Sequence, residues 1–81
     1  MIARLFVGNL PWSVGDVELA ELFTGVGEVQ SARVVTDRDT GRSRGFGIVE
    51  IETDNVADVI SAVNGREIDG RAVRVNEGQA S

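Results

Sequence analysis

Residues 3–8 alternate in the manner of a strand, with Leu5 and Val7 on one side and Arg4 and Phe6 on the other, and Pro11 ends the run. From Asp16 to Thr24 the period changes. Leu19, Leu22 and Phe23 form an apolar stripe at helical spacing, Asp16, Glu18 and Glu21 lie outside it, Gly15 offers an N-cap, and Gly25 and Gly27 stop the helix. Alternation returns over Val29 to Thr36, which places Ala32 and Val34 on one face and Arg33 and Val35 on the other. The polar segment from Asp37 to Ser43 reads as a loop, and Phe46 to Ile51 as a third strand. A second helix begins at Asp54, carries Val56, Val59, Ile60 and Val63 on one face, and closes at Asn64-Gly65. Its valines are poor helix formers, so packing must hold it. Ile68 and an Asp69-Gly70 turn lead into a last strand, Arg71 to Val75.

The resulting order, β-α-β-β-α-β, predicts an α+β fold of the ferredoxin-like split type: a four-stranded antiparallel sheet with two helices on one face. Each helix has one apolar stripe, so both must cover the same side of the sheet. The other side stays open and carries whatever points away from Leu5, Val7, Val49 and Val75. The 81 residues are expected to form one domain, with a structured core over about 3–76 and a short flexible tail over 77–81.

Composition narrows the chemistry. Cysteine and histidine are both absent, which removes disulfides, thiolate nucleophiles, the usual zinc ligands and the commonest general base. No serine lies in a nucleophile elbow and no Walker-type loop occurs, so the chain is not expected to be an enzyme and no cofactor is expected. Asp37, Asp39 and Gly41 suggest a calcium loop, but its twelfth position is Ile48 instead of Glu, so no metal is expected. The run of glycines Gly41, Gly45 and Gly47 does not open a helix after a strand, and reflects loop geometry and close strand packing instead of a phosphate cradle. No apolar run approaches a bilayer span and no signal core begins the chain, so no membrane partner is expected.

By alternation the open face shows Arg4 and Phe6 on the first strand and Arg44, Phe46, Ile48 and Glu50 on the third. A second layer that could bury Phe6 is not available in 81 residues. Exposed rings beside guanidinium groups form a platform on which splayed bases can stack, each worth roughly 1–3 kcal/mol. Trp12, just after the first strand, is expected to be a half-buried packing residue near the helix entry. The net charge of −5 opposes phosphate binding, yet all eight basic residues are Arg. Arg4, Arg33, Arg38, Arg42, Arg44 and Arg74 fall on the open face or its flanking loop, whereas Asp16, Glu18, Glu21, Asp54 and Asp58 fall on the helices, away from the sheet. Glu50 and Glu52 lie near the open face, where Glu50 could accept a hydrogen bond from a base amino group.

These residues carry a resemblance. Arg44-Gly45-Phe46-Gly47-Ile48-Val49-Glu50-Ile51 resembles the ribonucleoprotein octapeptide, and Leu5-Phe6-Val7-Gly8-Asn9-Leu10 its hexapeptide partner. The loop before the octapeptide and the segment entering the last strand are similar too. The chain therefore resembles the RNA-recognition-motif family, in the style of small RNA-binding proteins of bacteria, cyanobacteria and chloroplasts. That resemblance implies base stacking for Phe6, sugar contact between nucleotides for Phe46, and phosphate contact for Arg44. Ile48 departs from the family's second stacking aromatic: it either fills the sheet surface or offers a base apolar contact without a π-face. Ile51 replaces another aromatic but points into the core.

The expected function is sequence-tolerant binding of single-stranded RNA, with single-stranded DNA as an alternative ligand. The expected contacts are Phe6, Phe46, Ile48, Arg44, Arg4, Arg33, Arg42, Arg74 and Asn76. The rival function is a protein-interaction or self-association module on the same apolar face, although a monomer is expected. The expected compartment is the cytoplasm, of bacterial type, or the chloroplast or nucleus if the chain is a fragment of a eukaryotic protein.

Overall fold

The computed structural model describes residues 1–78, with Ser43 and Arg44 described through their backbones alone. Strand β1 (Ile2–Gly8) is followed by helix α1 (Asp16–Glu21), strands β2 (Glu28–Thr36) and β3 (Ser43–Glu52), and helix α2 (Val56–Val63). The chain then forms a short hairpin, β4 (Glu67–Ile68) and β5 (Arg71–Ala72), before the closing strand β6 (Arg74–Glu77). The main sheet is ordered β2-β3-β1-β6 and its pairs are antiparallel. This is the expected four-stranded α+β architecture.

The alternation separates the two faces as the sequence pattern predicts. Ala3, Leu5, Val7, Val49, Ile51, Val73 and Val75 are buried, together with Leu19 and Phe23 from the first helical segment and Val59 and Val63 from α2. Gly47 is required at its position: a Cβ there would lie 2.5 Å from Leu19 Cδ2 and 2.9 Å from the Arg33 carbonyl oxygen, so α1 could not approach β3 as closely. Ile51, where the family has an aromatic, is completely buried.

Helix α1 starts where expected, with Glu18 accepting a hydrogen bond from the Gly15 amide at 2.9 Å. It stops at Glu21, and turns at Phe23 and Thr24 replace its expected last residues. Helix α2 is capped by Asn55, whose side chain accepts from the Asp58 amide, so it begins two residues after Asp54.

The expected last strand, Arg71 to Val75, is instead two elements. Asp69 and Gly70 both take positive φ (50° and 82°), forming a two-residue turn between β4 and β5. Val73 separates the two: its amide extends the hairpin by donating to the Arg66 carbonyl, whereas its own carbonyl accepts from the Gly65 amide, one residue out of register, both at 2.8 Å. Alternation could not reveal the break, because Val73 and Val75 keep the same inward phase across it. At the far end Glu77 pairs with Leu5, and the Gly78 amide donates to the Arg4 carbonyl at 2.7 Å. Of the expected tail, residues 79–81 lie outside the described residues.

Candidate nucleic-acid interface

The side chains pointing away from the core form ordered rows across the open face. In the middle row Arg33 of β2 faces Ile48 of β3, Ile48 faces Phe6 of β1, and Phe6 faces Asn76 of β6. The neighbouring row joins Ser31, Glu50 and Arg4, with the Gly78 amide bonded to the Arg4 carbonyl. Toward the other end Gly8 faces Arg74, and Phe46 occupies the next outward position of β3 before Ile48.

Both rings are accessible, Phe6 at 43% and Phe46 at 39% of full exposure. They are not free on all sides. A Cβ on Gly78 would lie 3.3 Å from Phe6 Cε1, so the backbone just after β6 passes beside that ring. Ile48 is half-buried, and Arg4, Arg33, Arg74 and Asn76 are exposed. The structure thus brings seven of the nine sequence-predicted contacts onto one surface. Arg42 is exposed in the β2–β3 loop, and the side chain of Arg44 lies outside the described residues.

Loops at one end of the platform are tied together. The Leu10 amide donates to the Gly45 carbonyl at 2.8 Å, and Asn9, at φ 60°, donates through Nδ2 to the Ala72 carbonyl at 2.8 Å. Between β2 and β3, Asp37 Oδ1 accepts from the amides of Asp39 and Thr40, and the Asp37 carbonyl accepts from the Gly41 amide, where φ is +72°. Asp37 therefore organises a turn that presents Arg38 and Arg42 to solvent.

Two placements differ from expectation. Trp12 is 74% exposed, not half-buried. Its neighbours explain this: Pro11 and Val14 are buried and close a turn through the Val14 amide and Pro11 carbonyl (3.0 Å), which throws the intervening side chains outward. Asp16 does not point away from the sheet. Its Oδ1 accepts from the Val34 amide at 2.7 Å, satisfying a donor on the free edge of β2 and blunting that edge against pairing with another chain. Ser31 was not anticipated. It donates through Oγ to Glu50 Oε1 at 3.0 Å, a contact set by the β2–β3 register and the irregularity between Val29 and Ser31, neither of which strand alternation specifies.

Comparison with known proteins agrees with this geometry. Over 74 residues the chain is 57% identical to the chloroplastic 28 kDa ribonucleoprotein of Spinacia oleracea, matching 90% of this chain and 32% of that protein. It is also 47% identical over 78 residues to the glycine-rich RNA-binding protein 10 of Brassica napus, covering 95% of this chain and 46% of the relative. The chain thus spans less than half the length of either relative. Among solved structures, RNA binding protein PG1 superposes with a TM-score of 0.82 at 40% identity, covering 98% of this chain and 96% of that one. The family model described as RNA recognition motif matches residues 5–74, and the chain belongs to that family.

Proposed function

We propose that this domain binds single-stranded RNA across the open sheet face, with bases stacked on Phe6 and against Phe46 and phosphates met by Arg4, Arg33, Arg74 and the arginines of the β2–β3 loop. One observation carries the reading: two phenyl rings lie exposed on a face whose opposite side already holds a closed core. Exposed apolar area of that kind is unfavourable in water unless a ligand covers it. Flat bases are a matching cover, because every base has a π-face. Relatives named as ribonucleoproteins or RNA-binding proteins support the same ligand, and those named as chloroplastic favour the organellar compartment over the cytoplasmic one.

The test is a Phe6→Ala titration with a mixed-sequence RNA oligonucleotide, read beside thermal unfolding. Affinity should fall by the equivalent of roughly 1–3 kcal/mol. Stability should fall by much less than the roughly 3–5 kcal/mol typical of a fully buried Phe. A large loss of stability with unchanged affinity would mean that the ring supports the fold and not the ligand. If oligonucleotides leave the Phe6 and Phe46 resonances unmoved, the face serves a protein partner.

A further inference from the structure

We propose that Ser31 and Glu50 form a base-selecting corner of this platform, one that accepts a nucleobase bearing an exocyclic amino group and disfavours uracil. The proposal rests on the RNA-binding reading above and adds to it a choice among bases.

A depression of about 410 Å³ lies over β2 and β3, lined by Arg4, Ser31, Arg33, Ile48 and Glu50 among others. Ile48 supplies an apolar wall next to Phe6, so a base leaving the ring can remain in contact with apolar surface. Glu50 is half-buried and its orientation is set, since Ser31 Oγ holds Oε1 at 3.0 Å. Arg4 is the cross-strand neighbour of Glu50, yet among the described residues no guanidinium closes on this carboxylate. Asp16, the other acid of the depression, is engaged by the Val34 amide. Glu50 Oε2 is therefore the acceptor left for a ligand.

An ionised carboxylate only accepts hydrogen bonds. Cytosine N4, adenine N6 and guanine N2 each offer an amino donor, and carboxylates do accept from cytosine N4. Uracil's one edge donor, N3–H, stands between two carbonyls, whose lone pairs would face the carboxylate. Arg4 and Arg33 also line the depression, where each can meet the phosphate of the nucleotide whose base is selected. A carboxylate on a phosphate-binding surface also repels the backbone, so a base contact gives Glu50 a role that electrostatics alone does not.

The experiment uses the whole chain and fluorescently labelled octamers of uridine, cytidine and adenosine at one salt concentration. Wild type should bind the cytidine or adenosine octamer at least ~5-fold more tightly than the uridine octamer, the lower end of what one good base contact provides. Glu50→Gln should collapse that ratio, because the amide can also donate to uracil O4. Glu28→Gln removes the same charge from exposed Glu28, outside the depression, and should raise every affinity while keeping the ratio. A ratio unchanged in Glu50→Gln, or a wild type that prefers the uridine octamer, overturns the base-selecting corner and leaves RNA binding standing. Failure of wild type to bind any octamer overturns both.

Discussion

Ile48→Phe places an aromatic where this chain has an aliphatic, at the centre of the row that runs from Arg33 through Ile48 and Phe6 to Asn76. The family resemblance puts a stacking ring at this position, and the isoleucine offers apolar contact without a π-face. A base stacked on a ring is worth roughly 1–3 kcal/mol, measured against alanine. Isoleucine already provides part of the apolar contact, so the expected gain is about 1–2 kcal/mol, a tightening of about 5- to 30-fold. The fold should accept the change. Ile48 faces away from the core, its nearest cross-strand partners are Phe6 and Arg33, and an aromatic pair across strands contributes roughly 0.2–1 kcal/mol.

The assay is fluorescence anisotropy with a single labelled RNA at fixed ionic strength, wild type against variant, with thermal unfolding to confirm equal folding. Phe6→Ala combined with Ile48→Phe separates two outcomes. A new independent stacking site should recover part of the affinity lost with Phe6. Equal or weaker binding by Ile48→Phe, in a protein as stable as wild type, would refute the idea of an impaired stacking position. It would show either that the new ring packs on Phe6 and hides it, or that the face serves a protein partner.

Other outcomes follow from the same geometry. Gly47→Ala should destabilise the fold by about 1–3 kcal/mol in denaturant titration, because its methyl would enter the space of Leu19 Cδ2 and the Arg33 carbonyl; unchanged stability would mean that α1 yields freely. Arg4→Ala and Arg33→Ala should each weaken binding evenly across RNA sequences and reduce the slope of log affinity against log salt by about 0.7. A changed sequence preference in either would instead mark that arginine as a base reader. Trp12 is the one tryptophan and there is no tyrosine, so its emission can be selected without interference. At 74% exposure it should emit like a hydrated indole and be quenched readily by acrylamide; blue-shifted, protected emission would contradict the outward turn. Asn64→Ala should cost roughly 1–3 kcal/mol of stability, since its Oδ1 accepts from the half-buried Val75 amide at 3.0 Å.

The sheet, its helix layer and the two ring-bearing strands were legible because each depends on a short period within the chain. Strand alternation puts Leu5 and Val7 inward and Phe6 outward, and no distant contact is needed to decide that. Contacts across elements were not legible in the same way. Trp12 was expected to be half-buried because large aromatics generally pack. The buried Pro11 and Val14 on either side decide its position instead, and their burial is a property of the assembled fold. Asp16 sat correctly in the first turn of α1, but a single sequence does not show that the free edge of β2 passes within hydrogen-bond reach. The break at Val73 was invisible for a different reason. Two short strands of the same inward phase, joined through one buried valine, produce the same pattern as one continuous strand.

The acidic total charge is reconciled with phosphate binding by the direction of the strands. At one end of the open face Glu28 and Glu52 are cross-strand partners, and the next row contains Glu50. At the opposite end lie Arg74 and the β2–β3 loop with Arg38 and Arg42, while Arg33 occupies the row between and Arg4 shares the row of Glu50. Charge on the open face therefore changes sign along the strands. A polyanion laid along the acidic rows would meet repulsion over a distance comparable with the Debye length, about 8–10 Å near physiological salt. The same strand shifted toward Arg74 and the loop would be attracted, with Phe6 and Phe46 beneath its bases. An average of charge over the whole chain erases this gradient, and so a net charge of −5 does not oppose the interface. On the proposed reading, the acidic end would bound the phosphate track, with Glu50 at that boundary available to a base edge.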